Sequence, residues 1–439
     1  MLTRRQFSKT LAATAVLATT AKSYGRILGS NERINFAVIG LNSRAYAHLS
    51  SLTANKSIAA ITHAVDVDST ILAKFVSEAE KSMGTAPQAD KDFRKTLEAK
   101  DVDAISIATP DHWHTPLAIA GMQAGKDVYV EKPCSHNLHE VDLIVAAQKK
   151  YGKVLQMGNQ QRSSPHSIDI IGQIHAGVIG RAYYGKAWYT NNRKSMGIGK
   201  PVAVPATLDW DIWQGPAPRV PYRDNIHPYN WHWLRVYGTG EALNNGTHEI
   251  DVARWALGDV TYPTRINATG ARYAFTDDWQ FPDTMLTSFE YPDKLLAWEG
   301  LSSNDMPFFG RDRGVVIKGT EGAVVLDRDG WELHDLKGKL LKEFKIPKGA
   351  KTASDDLVGR DSMTDLHFTN FIQGIKAGAK LNSPIQAASV SVALLLMSNI
   401  AWQLKRELTL NTTTGAFLND AEATKLRTRT YEKGWEPKA

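Results

Sequence analysis

Short apolar runs alternate with amphipathic runs from Ile34 to Met157. The apolar runs predict strands, which end at Ile39, Val65, Ala108, Val130 and Met157. Strands that alternate with helices in this way form a parallel sheet that is covered by helices on both faces. Residues 31–157 are therefore predicted to be an α/β domain with a Rossmann-type, doubly wound parallel sheet.

The pattern changes over residues 158–439. Met285–Tyr291 and Leu295–Leu301 alternate apolar and polar residues between Gly-rich and Asp-rich turns, which is typical of antiparallel strands. Thr364–Ile375 and Ile385–Leu404 are predicted to be amphipathic helices, and the second is apolar enough to pack across a domain junction. This part is predicted to be a C-terminal α+β domain with a mainly antiparallel sheet.

The first thirty residues have the layout of an export signal. Thr3–Lys9 contains paired arginines, and a mild apolar run follows over Leu11–Ala21. This order is typical of a twin-arginine signal, with an ordinary amphipathic helix as the alternative. Residues 1–30 are therefore predicted to engage the twin-arginine translocase and to direct the chain to the periplasm. The signal is expected either to be cleaved or to remain as an uncleaved membrane tether.

The charge of the chain excludes a nucleic-acid partner. The formal net charge is +6, but five basic residues and no acidic residue precede Asn31, so the remaining chain carries about +1 (6 − 5). No basic run or nucleic-acid motif occurs in that remainder. The five basic residues are Arg4, Arg5, Lys9, Lys22 and Arg26.

Cys134 is the only cysteine, so an intrachain disulfide is impossible. An exposed thiol would be a liability in an oxidising compartment, and we therefore expect Cys134 to be buried. A catalytic cysteine is the alternative, although no neighbouring residue plainly marks a thiolate-stabilising site.

The first predicted strand runs directly into Gly40-Leu41-Asn42-Ser43-Arg44-Ala45. In the dinucleotide fingerprint G-x-G-x-x-G/A, the first glycine makes the tight turn and the last small residue lets the helix pack on the strand. Gly40 and Ala45 fit this pattern, whereas Asn42 takes the place of the second glycine. Asparagine tolerates a positive φ, so we expect the turn to survive. Gly40, Asn42, Ser43 and Arg44 are thus predicted to hold the cofactor phosphates.

Asp66 follows the second predicted strand, where an acidic residue accepts hydrogen bonds from the adenosine ribose. Its carboxylate would repel a 2′-phosphate, which favours NAD over NADP. Arg44 is the opposing observation, because a guanidinium on the phosphate loop could hold that phosphate.

Ser106–Ser135 reads as one strand–helix–strand unit that ends in Glu131-Lys132-Pro133. The two strands of such a unit end at the same edge of a parallel sheet. Lys132 is therefore predicted to face a ligand at that edge, beside a proline that restricts the backbone.

The motifs together resemble the glucose-fructose oxidoreductase, inositol dehydrogenase and MocA family, Gfo/Idh/MocA. The resemblance covers nearly the whole chain after the signal, and its motifs are the Gly40 loop, Ala108–His114, Glu131–Pro133, Gly158–Gln161 and Gly246–Asp251. It implies an open antiparallel sheet in the second domain, a nicotinamide cofactor, a sugar or cyclic polyol as substrate, and a homo-oligomer, either a dimer or a tetramer. It also places at the cofactor Thr109, Pro110, His112, His114, Glu131, Lys132 and Gln160.

Oxidation of an alcohol needs a group that accepts the hydroxyl proton while hydride leaves. Lys132 and His248 are predicted to be the catalytic residues, because a lysine beside a cationic nicotinamide has a lowered pKa and histidine needs no shift. Asp251 lies one helical turn after His248 and could orient its ring. Family members carry an aspartate where this chain has Asn244. Either Asn244 only binds a substrate hydroxyl, or a carboxylate such as Glu241 replaces the aspartate.

The segment from Trp210 to Trp233 is rich in aromatic residues. Aromatic rings stack on the C–H faces of a pyranose, so Trp213, Tyr229 and Trp231 are predicted to bind substrate, with a subunit interface as the alternative. His112 and His114 lack a third ligand at a usual spacing, and no metal site is predicted.

These observations predict an NAD(P)-dependent oxidoreductase that acts on a sugar, a glycoside or a cyclic polyol. An exported enzyme has no pool of free cofactor, so the cofactor is expected to stay bound through turnover. Two alternatives remain. One is a redox-neutral enzyme that cleaves glycosides through transient oxidation, and the other is a non-catalytic sugar-binding protein, suggested by Asn42 and Asn244.

Overall fold

The computed structural model describes residues 33–346 and 362–439, so the predicted signal at residues 1–30 lies outside the described residues. The first domain contains a six-stranded parallel sheet with the order β3-β2-β1-β4-β5-β6. Its strands are β1 (Ile34–Ile39), β2 (Ala59–Val65), β3 (Gln88–Asp90), β4 (Ala104–Ile107), β5 (Asp127–Val130) and β6 (Leu155–Met157). Its helices are α1 (Ala45–Ala54), α2 (Ser69–Met83), α3 (Phe93–Glu98), α4 (Asp111–Gln123) and α5 (Leu138–Tyr151).

The central strands of this sheet form because both of their faces are covered. All four residues of β4 are buried, and so are the last four residues of β1. Such continuous apolar strands are typical of parallel sheets between two helical layers. The predicted α/β architecture is confirmed, and the strand order reverses beside β1, which opens a crevice at the carboxyl ends of β1 and β4.

The second domain contains a ten-stranded sheet with the path β15-β14-β13-β12-β7-β10-β9-β8-β16, and β11 pairs with β7 beside this path. The pair β7–β10 is parallel and the other pairs are antiparallel, which confirms the mainly antiparallel prediction. The strands are β7 (Ala182–Asn192), β8 (Arg265–Ala271), β9 (Thr284–Glu290), β10 (Leu295–Leu301), β11 (Ser303–Asn304), β12 (Arg313–Gly319), β13 (Ala323–Leu326), β14 (Gly330–His334), β15 (Leu340–Lys345) and β16 (Leu408–Thr409).

The remaining helices cover one face of this sheet or connect it to the first domain. They are α6 (Pro165–His175), α7 (Trp210–Gln214), α8 (Glu241–Asn244), α9 (Gly246–Ala256), α10 (Ser362–Ala377), α11 (Ile385–Leu404) and α12 (Ala421–Lys425). On the opposite face, large side chains such as Leu286 (51% exposed) remain accessible. The sheet is therefore open, as the resemblance implied.

Helix α10 packs against α1, in the first domain, although it is late in the chain. The ring of Phe368 stacks on Tyr129 with centroids 4.2 Å apart, and it meets Phe36 edge to face. A single division of the chain at residue 158 assigns this helix to the second domain, whereas its apolar face completes the core of the first.

Helix α11 lies across the domain junction, as its composition predicted. It contacts α5 and β6 of the first domain, and also β8 and α9 of the second. It is the one helix in residues 33–346 and 362–439 that is long and apolar enough to cross a membrane, and most of it is buried inside the protein.

Candidate functional site

A cavity of about 570 Å³ lies between the carboxyl edge of the parallel sheet and the second domain. From the first domain it is lined by the loop after β1, by Asp66, by the start of α4 and by Lys132. From the second domain it is lined by Tyr189, Arg193, Trp213, His232 and His248, among others. Residues that are far apart in the chain therefore meet at the edge that the strand pattern indicated.

The loop after β1 passes very close to the end of β4. Gly40 has a φ of +82°, and a Cβ on it would lie 2.7 Å from the backbone nitrogen of Thr109. Only glycine fits both constraints. The expectation for Asn42 is wrong in one detail, because the positive φ of +40° is at Ser43. Asn42, Ser43 and Arg44 all line the cavity.

Asp66 fastens this loop to the end of β2. Its Oδ2 accepts a hydrogen bond from the backbone N–H of Leu41 at 2.7 Å, and its Oδ1 accepts one from Asp68 N–H at 2.9 Å. Burial raises the pKa of Asp66 to about 6, against the effect of these hydrogen bonds. The predicted contact with a ribose stays a prediction, and the structure adds a loop-holding role that the sequence did not indicate.

Glu131 joins several elements beneath the cavity. Its Oε1 accepts from Arg44 Nε at 2.8 Å, and it lies 3.1 Å from both His48 Nε2 and Gln160 Nε2. Burial alone would raise the pKa of Glu131, but Arg44 and His48 outweigh it and hold that pKa below the usual range. Gln160 is outside the lining of the cavity, so it supports Glu131 and does not face a ligand directly.

Lys132 reaches across the cavity to the second domain. Its Nζ donates to the backbone carbonyl of Asn244, and it lies 3.3 Å from Asn244 Oδ1. Burial lowers the pKa of Lys132 to about 8, although Glu131 and Asp111 oppose that shift. Both of its direct partners are neutral, so an amine at this position can exchange a proton near neutral pH.

His248 lies in the first turn of α9, is buried and lines the cavity. The suggested partner Asp251 does not orient it, because Asp251 is bound to Arg162 Nε at 2.6 Å on the junction side of the helix. Glu241 does not take the place of the missing aspartate either. It is paired with Arg193 and lies outside the lining of the main cavity.

His112 and His114 both lie in the first turn of α4, where residues two apart point in different directions. His114 lines the cavity, and its ring nitrogens lie 2.6 Å from Pro133 O and 2.8 Å from Thr109 O. The predicted cofactor role of His112 does not fit the structure. Its ring is fully buried outside the cavity lining, 3.0 Å from Trp213 O and 3.3 Å from Tyr237 O.

The aromatic segment is a core with one side on the cavity. Trp213, Tyr229 and Trp231 line the cavity, and their binding of substrate stays a prediction, but Trp213 stacks on Trp210 with centroids 4.6 Å apart, and Trp231 stacks on His232. Indole N–H groups need a hydrogen-bond acceptor when they are buried. Here backbone carbonyls accept from them, as Pro228 O does from Trp231 Nε1 at 3.1 Å.

His232 is a site residue that the sequence analysis did not single out. Its Nδ1 lies 2.6 Å from the carbonyl oxygen of Tyr229, and burial lowers its pKa to about 3. A carbonyl can only accept, so Nδ1 carries the proton and Nε2 is an acceptor on a ring that lines the cavity. Its position beside the three aromatic residues Tyr229, Trp231 and Trp233 is the one signal that the sequence offers.

Cys134 is fully buried, as predicted. Burial raises the pKa of its thiol to about 12, so a thiolate nucleophile does not form there near neutral pH. Within the described residues, no three His, Cys, Asp or Glu side chains gather in a way that could hold a metal ion.

The cavity fits a dinucleotide at its phosphate loop. Among the described residues, the buried Thr109 Oγ1 has no hydrogen-bond partner, and no side chain caps the start of α1. An uncapped helix N-terminus beside a glycine turn attracts phosphate oxygens. Gly40, Ser43 and Thr109 would therefore hold the pyrophosphate, and Asp66 and Pro110 also line the cavity.

The chain is similar to curated enzymes of known name. It is 25% identical over 303 residues to scyllo-inositol 2-dehydrogenase (NAD(+)) of Bacillus subtilis, a match over 67% of this chain and 74% of that one. It is 28% identical over 180 residues to a Glycosyl hydrolase family 109 protein of Saccharopolyspora erythraea. That match covers 39% of this chain and only 38% of the relative's length.

Solved structures show the same fold. A levoglucosan dehydrogenase in complex with NADH and levoglucosan has a TM-score of 0.64 at 17% identity, over 86% of this chain and 99% of that one. An aldose-aldose oxidoreductase from Caulobacter crescentus has a TM-score of 0.64 at 17% identity, over 86% of this chain and 100% of that one.

Two family models match the chain in succession. Residues 34–159 match the model described as oxidoreductase family, NAD-binding Rossmann fold. Residues 173–325 match the model of the GFO/IDH/MocA C-terminal domain. Together they span more than half of the 439 residues and both predicted domains. The chain belongs to the Gfo/Idh/MocA family of oxidoreductases.

Proposed function

We propose that this protein is an NAD-dependent oxidoreductase that oxidises a CH–OH group of a sugar, a glycoside or a cyclic polyol. The observation that carries the proposal is the position of Lys132. Its Nζ meets Asn244 in the same cavity that the phosphate loop, His232 and His248 line. A base of suitable pKa, a cofactor cradle and polar groups for hydroxyls are thus in one place.

The residues divide the chemistry in a simple way. A bound nicotinamide would accept hydride from the carbinol carbon. Lys132, with a pKa of about 8, would take the hydroxyl proton as the carbonyl group forms. His232 Nε2 would accept a hydrogen bond from a substrate hydroxyl, and the side-chain amide of Asn244 would accept or donate one. His248 is the second candidate for the proton acceptor.

NAD is favoured over NADP for two reasons. Arg44, the one loop cation that could hold a 2′-phosphate, is directed toward Glu131 by a 2.8 Å ion pair. The Asp66 carboxylate lies at the cavity and would repel that phosphate once it is ionised, above a pH of about 6. Discrimination against NADP therefore depends on the Asp66 carboxylate and on the pairing of Arg44 with Glu131.

The test is direct. Purified protein is loaded with NAD and offered sugars, glycosides and inositols, while reduced nicotinamide is followed by its absorbance. We expect turnover with a carbohydrate in the parent and a loss of at least about a hundredfold in Lys132→Ala, as is usual for a general base. Equal turnover in the variant would exclude Lys132 as the base. If the parent binds a sugar but turns over none of the compounds offered, the result would favour a non-catalytic sugar-binding protein.

Redox-neutral cleavage of a glycoside is the second candidate. The relatives named glycosyl hydrolase family 109 suggest it, and the cavity offers two groups that accept a proton in their neutral forms, the amine of Lys132, with a pKa of about 8, and Nε2 of His232. Oxidation of one ring carbon would acidify the neighbouring C–H, a base would remove that proton, the glycosidic group would leave, and hydride would return. Release of the alcohol without net reduction of NAD would identify this route.

Export and assembly complete the proposal. The twin-arginine layout of residues 1–30 suggests that the protein folds around its cofactor before it reaches the periplasm. The supernatant of the denatured, exported protein should then contain NAD or NADH, measured by mass spectrometry. A homo-oligomer, dimer or tetramer, stays a prediction that sedimentation can test.

A further inference from the structure

A segment of the second domain crosses onto the first domain beside Asp66. We call residues 205–214 the strap. The carbonyl oxygen of Thr207 accepts from Ser69 N–H at 2.9 Å, and Asp209 N–H donates to Val67 O at 3.0 Å. Between these bonds, Asp68 and Leu208 form an antiparallel bridge. The strap is thus attached by backbone hydrogen bonds to the turn between β2 and α2.

The end of the strap is attached to another element of the first domain. The carbonyl oxygen of Trp213 accepts from Trp113 Nε1 at 2.9 Å, and it lies 3.0 Å from His112 Nε2. Both of these residues belong to α4. Leu208 is buried in the aromatic cluster, and the ring of Trp210 stacks on Trp213. The strap therefore connects the turn after β2 to α4, the helix that follows β4, and β1 lies between β2 and β4 in the sheet.

The strap contributes a wall to the cavity where it passes. Ile212 and Trp213 line the cavity, and Asp66 and Lys91 of the first domain line it as well. Apolar first-domain residues in the lining include Val67 and Trp113, which bond to the strap, together with Ile71, Phe93 and Leu117. A pocket with aromatic walls, in a cavity that also contains the carboxylate predicted to bind the ribose, is suited to a purine base.

We propose that the strap closes the adenosine half of the site and thereby retains the dinucleotide between turnovers. The inference rests on the proposed function, because it concerns the cofactor of that same site. An adenosine enclosed by the turn after β2, by α4 and by the strap can leave only when the strap detaches from at least one of them. Slow release of the cofactor follows from that enclosure, and loss of one attachment should speed release.

Ser69→Pro removes one attachment with little change elsewhere. Ser69 is the first residue of α2, where proline is well tolerated and no intrahelical bond is lost. Asp68 precedes it at φ −98° and ψ 113°, an extended conformation that a following proline accepts. The substitution therefore deletes the donor to Thr207 O. The control Ser69→Ala keeps that N–H and loses only the hydroxyl contact at 3.3 Å.

The readout is the rate at which NADH leaves the preloaded protein after mixing with excess NAD, followed by nicotinamide fluorescence. We expect Ser69→Pro to release NADH about three- to tenfold faster than Ser69→Ala, as one lost backbone hydrogen bond allows, and Ser69→Ala, which loses only the long hydroxyl contact, to stay within about twofold of the parent. Equal NADH release rates in Ser69→Pro and the parent would overturn the proposed role of the strap in retaining the cofactor, and they would leave the proposed function unaffected. A parent that binds no NAD(H) would overturn both.

A second pair of variants covers a failure of Ser69→Pro to fold. Asp209 has a φ of −79°, which proline can adopt, and Asp209→Pro deletes the donor to Val67 O. Asp209→Ala is its reference, because both variants lose the cap of α7 but only one loses the backbone bond. Faster NADH release in Asp209→Pro than in Asp209→Ala supports the strap, and equal rates contradict it.

Discussion

Lys132 and Asn244 join the two domains across the cavity, since the ammonium of Lys132 donates to the backbone carbonyl of Asn244 and lies 3.3 Å from its side-chain oxygen. The carboxylates that face Lys132 have other partners. Glu131 is bound by Arg44 and His48, Glu241 is paired with Arg193, and Asp111 accepts from Thr239. No carboxylate in the described residues forms an ion pair with this ammonium, so burial dominates and its pKa falls to about 8.

This arrangement predicts the pH dependence of catalysis. We expect kcat/KM to rise with pH through a midpoint near 8, because only the neutral amine of Lys132 accepts a proton. Asn244→Asp places a carboxylate beside the ammonium and should raise that midpoint by about one unit or more. Asn244→Ala keeps the backbone carbonyl and should shift it little. A midpoint in Asn244→Asp equal to that of the parent would contradict this account.

Cofactor choice should depend on Asp66. The parent is expected to bind NAD more tightly than NADP, and Asp66→Asn should reduce the preference about tenfold by removing repulsion of the 2′-phosphate, on the order of 1.4 kcal/mol. Titration of both nucleotides by tryptophan quenching measures the ratio. Asp68→Asn is the matched control, because Asp68 caps α2 and asparagine caps equally well. An unchanged ratio in Asp66→Asn would remove Asp66 from the discrimination.

Acid should destabilise the fold through its buried histidines. Burial lowers the pKa of His112 to about 3 in the folded state, whereas the unfolded value is about 6.5. Between these values the unfolded chain binds a proton that the folded chain does not. The stability that is present above pH 6.5 is therefore lost as the pH falls, by about 1.4 kcal/mol per pH unit for this one group.

Urea unfolding at pH 7, 6 and 5 measures this effect. The free energy of unfolding of His112→Gln should fall less steeply with falling pH than that of the parent, by a slope equivalent to about one bound proton. This difference in slope is expected even if the substitution changes the stability at all pH values. Parallel curves for the two proteins would show that His112 does not contribute to acid sensitivity.

The contact between Phe368 and Tyr129 should contribute substantially to stability. Phe368 is fully buried and stacks on Tyr129 in the core of the first domain, so Phe368→Ala should cost about 3–5 kcal/mol in the free energy of unfolding. Leu366→Ala changes a side chain that is 41% exposed in the same helix, and it should cost less than about 0.5 kcal/mol. Similar losses in both variants would mean that α10 is not part of the first domain's core.

Much of the fold and the centre of the site could be predicted from local pattern. The period of apolar residues placed β1 at Ile34–Ile39 and β10 at Leu295–Leu301 without error. The position of Lys132 followed from topology, because parallel strands end at a common edge. The position of Gly40 at the tight turn followed from the dinucleotide fingerprint, whereas the hydrogen bonds by which Asp66 holds this loop are seen only in the structure.

Side-chain direction and distant contacts could not be predicted in this way. His112 and His114 are two residues apart, and only the position of α4 sends one ring into the cavity and the other into the core. His232 is held at the cavity by a hydrogen bond from its ring to the carbonyl oxygen of Tyr229 and by stacking on Trp231.

The amino-acid sequence by itself determined the alternating architecture, the family and the presence of Lys132 at a strand end, because these depend on periodicity and on short motifs. Only the tertiary structure decided that Asn244 holds Lys132, that α10 completes the first domain, and that the strap lies beside Asp66. Such contacts join residues more than a hundred positions apart, and they depend on how whole elements pack, which no local pattern encodes.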